Sequence, residues 1–278
     1  MKRFLISFTS LILIVYVLFF IFLPLPGQIP VLMYHFIYPD REVEMGTSTL
    51  NVGVNQFKHQ MWLLKLLGFH SLSLDEYYEI KSGQRKPRGK EILITFDDGH
   101  KTYLNYALPI LEQYNLKSAN FLIWRYLVNG WHDYMSADDV KHLLNDPLIS
   151  FGSHTITHPK LIDVPLGRAK SEIFESKDNL EKMLKQPILY FAYPSGSCND
   201  DTVKMVEDAG YRLAFRVSRK LATCPKETNF SLLRIKVNPH HNLFVFWVYA
   251  SGLHEIGIKI KYKFLQLTGI SPSGKLNV

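Results

Sequence analysis

Cysteine is almost missing from this chain: there are two, Cys198 and Cys224, in 278 residues. No zinc-finger spacing can be drawn, and neither an RNP-type aromatic motif nor a long basic stripe is present, so nucleic acid is not an expected partner. No internal repeat and no low-complexity segment interrupts the chain. Charged residues are 21% against 47% hydrophobic, a balance that excludes a disordered polymer. The charge that exists is positive, formally +7, which suits solubility near an anionic membrane or a cell-wall polymer. Its densest run, Lys81 to Lys90, is broken by Gly and Pro and reads as a solvated loop. The two cysteines either pair, in a compartment that permits disulfides, or stay as free thiols.

What is present begins at the N-terminus. Lys2 and Arg3 precede an uncharged apolar run from Phe4 to Leu23. At a helical rise of ~1.5 Å per residue such a run spans ~30 Å, the thickness of a hydrocarbon core. The basic flank is expected to stay in the cytoplasm, with the rest of the chain outside. A cleaved signal peptide is the rival reading, but its apolar stretch is shorter and ends in small residues, whereas this one ends in Pro24-Leu25-Pro26-Gly27. The expected division is therefore a cytoplasmic stub and transmembrane anchor over 1–28, then one domain over 29–278.

Beyond the anchor, short apolar runs alternate with helix-like segments. Strands are expected at 30–36, 91–96, 118–123, 149–151, 189–193, 213–217 and 232–237. Helices are expected at 54–67, 103–114, 136–144, 165–184, 201–209 and 243–253. Gly68 suits a C-cap, and Ser136-Ala-Asp-Asp139 resembles a capping box. On the long helix, Glu172, Glu175, Lys177, Glu181 and Lys182 are placed on exposed faces. Alternating β and α units imply a parallel sheet covered by helices. Their number predicts an α/β fold: an incomplete or distorted (β/α) barrel of about seven strands. In such barrels the chemistry lies at the C-terminal strand ends, here expected near Phe36, Phe96, Phe151 and Tyr193.

Polar motifs follow the apolar runs at those ends. Thr95-Phe96-Asp97-Asp98-Gly99 puts two adjacent acids at a strand end, where successive side chains diverge and can hold different jobs. By itself this is also an ordinary Asp-Gly turn. Ser153-His154-Thr155-Ile156-Thr157-His158 places two histidines four apart. One carboxylate with two imidazoles leaves open positions on a metal ion, as catalytic sites require. Phe191-Ala192-Tyr193-Pro194-Ser195-Gly196 is a tight loop able to present a backbone N–H to an oxyanion.

TFDDG, SHTITH and FAYPSG, in this order, resemble the motifs of the polysaccharide deacetylases of carbohydrate esterase family 4, the NodB-like domain, over roughly residues 30 to 250. The early VLMYHF segment is similar to the poly-N-acetylglucosamine deacetylase branch, in which a histidine late in other members occurs early. The resemblance implies Asp97 as general base, with Asp98, His154 and His158 holding one divalent metal ion, usually Zn2+. It implies His35 as general acid, the Ser195 N–H as an oxyanion donor, and Arg234 as the arginine beside the catalytic aspartate, although a salt bridge elsewhere reads nearly as well. Tyr193 and Pro194 would contact substrate. The chain departs from the family at Ala192, where many members carry arginine, at Ser195, where many carry an aromatic, and in lacking a clear late Leu-x-His. The activity implied is removal of N-acetyl groups from an acetylated glycan outside the cytoplasm, at the membrane. An O-acetyl esterase and a catalytically degenerate carbohydrate-binding protein are the alternatives.

Overall fold

The structure, a computed structural model, describes residues 29–46, 48–217, 223–224 and 227–253. The apolar run at 4–23 lies outside them, and among the described residues no helix is long and apolar enough to cross a membrane.

In chain order the elements are β1 (Val31–Tyr34), β2 (Phe36–Tyr38), α1 (Asp40–Met45), β3 (Asn51–Gly53), α2 (Val54–Leu66), β4 (His70–Ser71) and α3 (Leu74–Lys81). β5 (Glu91–Phe96) follows, then α4 (Leu108–Tyr114), β6 (Ser118–Leu122), α5 (Trp124–Val128), α6 (Ala137–Leu143), β7 (Ile149–Ser153) and α7 (Leu166–Leu184). The last are β8 (Tyr190–Ala192), α8 (Asp200–Asp208), β9 (Leu213–Val217), β10 (Leu232–Lys236) and α9 (Leu243–Ala250). Before α4 the helix expected from Tyr103 starts as a wide π-type turn, Tyr103–Ala107. Pro109 explains it, since a missing N–H breaks the regular ladder at that point.

Seven strands, β1, β5, β6, β7, β8, β9 and β10, pair in parallel around a ring, and β1 closes it by pairing with both β5 and β10. The strand number is as expected; the incompleteness is not, because every seam is hydrogen-bonded. One seam is nonetheless distorted. β5 meets β6 only at Thr95 and Phe96, while β4 pairs with the start of β5 at Glu91 and Ile92. β2 and β3 form a separate two-stranded parallel sheet above β1. The elements missed in sequence, β2, α1, β3, β4 and α5, are six residues or shorter. α3 was also missed, though Ser73 and Glu76 form a full capping box that the sequence displays.

Alternation along each strand sorts side chains into two layers. Val31, Leu93, Ala119, Phe121, Tyr190, Ala192, Leu213, Phe215 and Leu232 fill the barrel. Leu32, Tyr34, Ile92, Ile94, Phe96, Phe151 and Phe191 pack outward against the helices. Gly152 is required inside the ring: a Cβ there would stand 2.5 Å from the Phe121 ring. Higher in the barrel the inward positions turn polar, at Thr95, Asp97 and Arg234, and this marks the mouth. Cys198 and Cys224 are joined by a disulfide, with Cα atoms 4.8 Å apart.

Candidate active site

Asp97 sits one residue past β5, on the inward parity of Leu93 and Thr95, and its N–H donates to Tyr34 O at 3.1 Å. Arg234, inward on β10, grips it with two bonds: Nη1 to Oδ1 at 2.7 Å and Nη2 to Oδ2 at 2.6 Å. Nη1 also reaches Thr95 Oγ1 at 3.3 Å, and that hydroxyl donates to Leu32 O at 2.8 Å. The pair is almost wholly enclosed, Asp97 at 3% and Arg234 at 2% exposure. Arg234 therefore makes no surface ion pair; it fixes Asp97.

Strict alternation would send Asp98 to the opposite face. Its left-handed backbone, φ 73°, with Gly99 at φ 72°, turns it back to the mouth. There Asp98 Oδ1 is buried with no hydrogen-bond partner. It stands 3.7 Å from His154 Nε2 and 3.6 Å from His158 Nε2. His154 Nδ1 lies 2.7 Å from Ala192 O, so that nitrogen carries the proton and leaves the Nε2 lone pair free. Donors held ~2.1 Å from one tetrahedral ion stand ~3.4 Å apart. An orphaned carboxylate oxygen facing two free imidazole nitrogens at nearly that spacing fits a divalent cation, and Asp98, His154 and His158 are the residues that would hold it.

The loop carrying the histidines is not helical. Thr155 and His158 both take left-handed conformations, φ 71° and 60°. Glu172 on α7 holds that loop: Oε2 accepts from Ile156 N at 2.9 Å and Thr157 N at 2.8 Å, and Oε1 accepts from the Thr157 hydroxyl. Glu172 is 5% exposed, so its placement on an exposed face was wrong. The signal was in the sequence. Ala169, Glu172, Ile173, Ser176, Leu180 and Leu184 make one buried stripe at helical spacing, with a carboxylate in it. Among the described residues, four of the seven non-glycine positions with positive φ, Asp98, Thr155, His158 and Ser195, lie at this mouth, where strain of about 1 kcal/mol or more per residue is tolerated only under such external support.

After β8, Tyr193 and Pro194 are buried, and the Tyr193 hydroxyl donates to Phe230 O at 2.8 Å. Both residues, expected at the substrate, have their side chains enclosed here and shape the loop. Ser195 forms its exposed tip at φ 56°. Gly196, φ 64°, could carry no side chain, since a Cβ would lie 2.5 Å from Val217 N.

Burial would raise the Asp97 carboxyl, but the Arg234 guanidinium, with His154 and His35, overrides it and holds Asp97 well below the usual carboxylate range. Burial, and then the Asp97 charge, push Asp98 up to about 7. Burial lowers His154 to about 3 and His158 below its ordinary value. His35 directly follows β1, on the inward parity of Val31, and is half-buried at the same mouth; burial first, outweighing the charge of Asp97, brings it down to about 4.

A closed parallel barrel whose C-terminal mouth gathers two acids, three histidines and an arginine has the layout of a barrel hydrolase. The sequence pattern of the polysaccharide deacetylase family matches residues 84–214. The Streptococcus pyogenes deacetylase PplD, solved in complex with acetate, superposes with a TM-score of 0.72 and 31% identity, covering 80% of this chain and 97% of that one. The Bacillus subtilis protein YxkH is 28% identical over 228 residues, 82% of this chain and 78% of its own. The poly-beta-1,6-N-acetyl-D-glucosamine N-deacetylase of Staphylococcus aureus is 26% identical over 218 residues, 74% and 73% of the two chains. The chain belongs to the polysaccharide deacetylase family and is an enzyme of that class.

Proposed function

We propose that this enzyme removes N-acetyl groups from a polymer of N-acetylglucosamine, using one divalent metal ion, zinc by its imidazole-rich donor set, and that it does so outside the cytoplasm, held at the membrane by residues 4–23. The observation that carries the chemistry is the unpartnered Asp98 oxygen facing His154 and His158, with the Asp97–Arg234 pair beside it. The named substrate of the staphylococcal relative supports the choice of polymer. The Cys198–Cys224 disulfide and the apolar N-terminal run support the location.

The cation, when bound, polarises the acetyl carbonyl and acidifies the attacking water. Asp97 takes the proton of that water. Arg234 guarantees that Asp97 is ionised and immobile, at the expense of basicity. The Ser195 N–H, at the exposed loop tip, donates to the oxyanion as it forms. His35 is neutral at rest; it takes a proton from solvent as negative charge develops beside it and passes that proton to the leaving nitrogen, and Asp97 returns the proton it took to solvent once the C–N bond has broken.

The test is acetate release from β-1,6-linked N-acetylglucosamine oligosaccharides, before and after chelation and with zinc restored. Asp97→Asn is expected to abolish turnover and keep the metal, while Asp98→Asn loses metal affinity as well as rate. His35→Ala should cost about 10²-fold or more on the amide and much less on an aryl acetate, whose leaving group departs without a proton. Full turnover in chelator, or the reverse pattern for the two aspartates, would sink the assignment.

A further inference from the structure

On α5 and in the loop that leads from it to α6, three aromatic rings lie together beside the two loops that build the site, and the proposed chemistry uses none of them. Tyr126 packs on Trp131 at 4.5 Å and on Tyr134 at 4.3 Å between ring centroids. Trp131 is 45% exposed, although it is large and apolar. From Tyr134 the ring contacts continue inward through His100, at 5.2 Å, and Phe36, at 4.7 Å from His100, to His35.

This cluster is held on both sides by the catalytic loops. Trp124 N donates to Thr155 O at 3.1 Å and Arg125 N to Ile156 O at 2.9 Å, which ties α5 to the histidine loop. Met135 N donates to Gly99 O at 2.9 Å and Lys101 N to Asp133 O at 2.8 Å, which ties the Trp131 loop to the Asp97–Asp98 turn. Burial first, and then the charge of Asp98, raise the pKa of both tyrosines, so their hydroxyls stand within the field of that carboxylate. Three touching aromatic rings, partly exposed and flanked by backbone tied to the reaction centre, make a contiguous patch of the kind that marks a ligand surface.

We infer that Tyr126, Trp131 and Tyr134 form a stacking subsite that seats a second pyranose ring of the glycan, next to the sugar losing its acetyl group. It rests on the proposed function above. The match is chemical. A β-linked glucosamine ring has equatorial substituents and faces lined by C–H bonds, which suit an aromatic plane. Its rim of hydroxyls meets the tyrosine hydroxyls and the exposed His132–Asp133 pair. Tyrosine and tryptophan belong where one side of a contact is apolar and the other wet.

The experiment compares Trp131→Ala and Trp131→Phe with the unaltered full chain, zinc-loaded. The probes are a β-1,6-linked N-acetylglucosamine pentasaccharide and 4-nitrophenyl acetate, which is too small to span both positions. Trp131→Ala should lower kcat/KM for the pentasaccharide on the order of tenfold more than for the aryl ester, with the loss in KM rather than kcat. Trp131→Phe should recover most of it. An unchanged pentasaccharide KM overturns the subsite. So does an equal loss of kcat on both probes, which would make Trp131 a support for the centre. If the unaltered enzyme splits the ester but releases no acetate from the pentasaccharide, the substrate reading above fails. The subsite is then judged by binding: pentasaccharide that shifts tryptophan emission in the unaltered chain and not in Trp131→Ala upholds it, and no difference overturns it.

Discussion

Asp98 is the residue whose environment most asks for a partner. It is mostly buried, its Oδ1 bonds to nothing, and its pKa is pushed up to about 7 by burial and by Asp97. A carboxyl with a higher pKa folded than unfolded keeps its proton longer in the fold. The metal-free protein should therefore lose stability as pH climbs from about 4 to about 7, by on the order of 4 kcal/mol from this group. Asp97 works in the opposite direction. Its folded pKa is depressed, so its contribution is present above pH ~4 and is lost on acidification. A cation on Asp98 replaces the proton. Thermal melts in chelator and in zinc should thus diverge more at pH 7.5 than at pH 5.5, and Asp98→Asn should narrow the gap. A gap independent of pH would contradict this account. Arg234→Met is expected to cost about 3–5 kcal/mol, because it strands a buried carboxylate; denaturant titration measures it.

Among the elements, α7 bears on function through one side chain. Glu172 caps three donors of the histidine loop, which holds two residues with positive φ, Thr155 and His158, and is tied elsewhere by single bonds to other groups. Glu172→Gln keeps one acceptor oxygen and the shape. It should weaken zinc binding about 10–100-fold, the usual effect of losing a group that orients ligands, with a smaller change in Tm than a core cavity causes. Calorimetric zinc titration checks it, and unaltered affinity would show that the loop holds itself. Within β7 the limit is space. Gly152→Ala would drive a methyl into the Phe121 ring and to 2.8 Å from Tyr190 O, so overpacking should cost about 1–3 kcal/mol in a denaturant melt.

For the whole molecule, the barrel has a direction. Ile29 packs at its lower end, against the layer that includes Val31 and Leu93, and the mouth lies at the other end. Seven residues, 24–30, separate Leu23 from β1 and reach ~25 Å at most when extended. An anchor at 4–23 would keep the lower end close to the bilayer and turn the mouth outward. The full chain should then sediment with membranes and be digested by protease added to intact cells, while a chain starting at residue 29 should stay in the soluble fraction. Recovery of the full chain in the soluble fraction would contradict the anchor.

Much of this was legible without coordinates, wherever a property is local. Strand β5 and strand β9 match their expected bounds, because an apolar run flanked by turn residues is a local signal. The acid pair, the two histidines and the tight loop could be read for the same reason: each is one short stretch beside one strand. The sequence alone also determined that seven βα-like units would make a parallel barrel. Closure of the ring depended on β1 finding both β5 and β10, some 60 and 200 residues away, which no local pattern encodes. Burial of Glu172, the grip of Arg234 on Asp97, and the enclosure of Tyr193 were likewise decided only in three dimensions. A charged residue reads as exposed until a distant loop supplies its partners, and a buried ion pair forms only when two strands bring both halves to one mouth. The clustering of Tyr126, Trp131 and Tyr134 belongs with these, since it depends on the loops that tie them to Gly99 and Thr155.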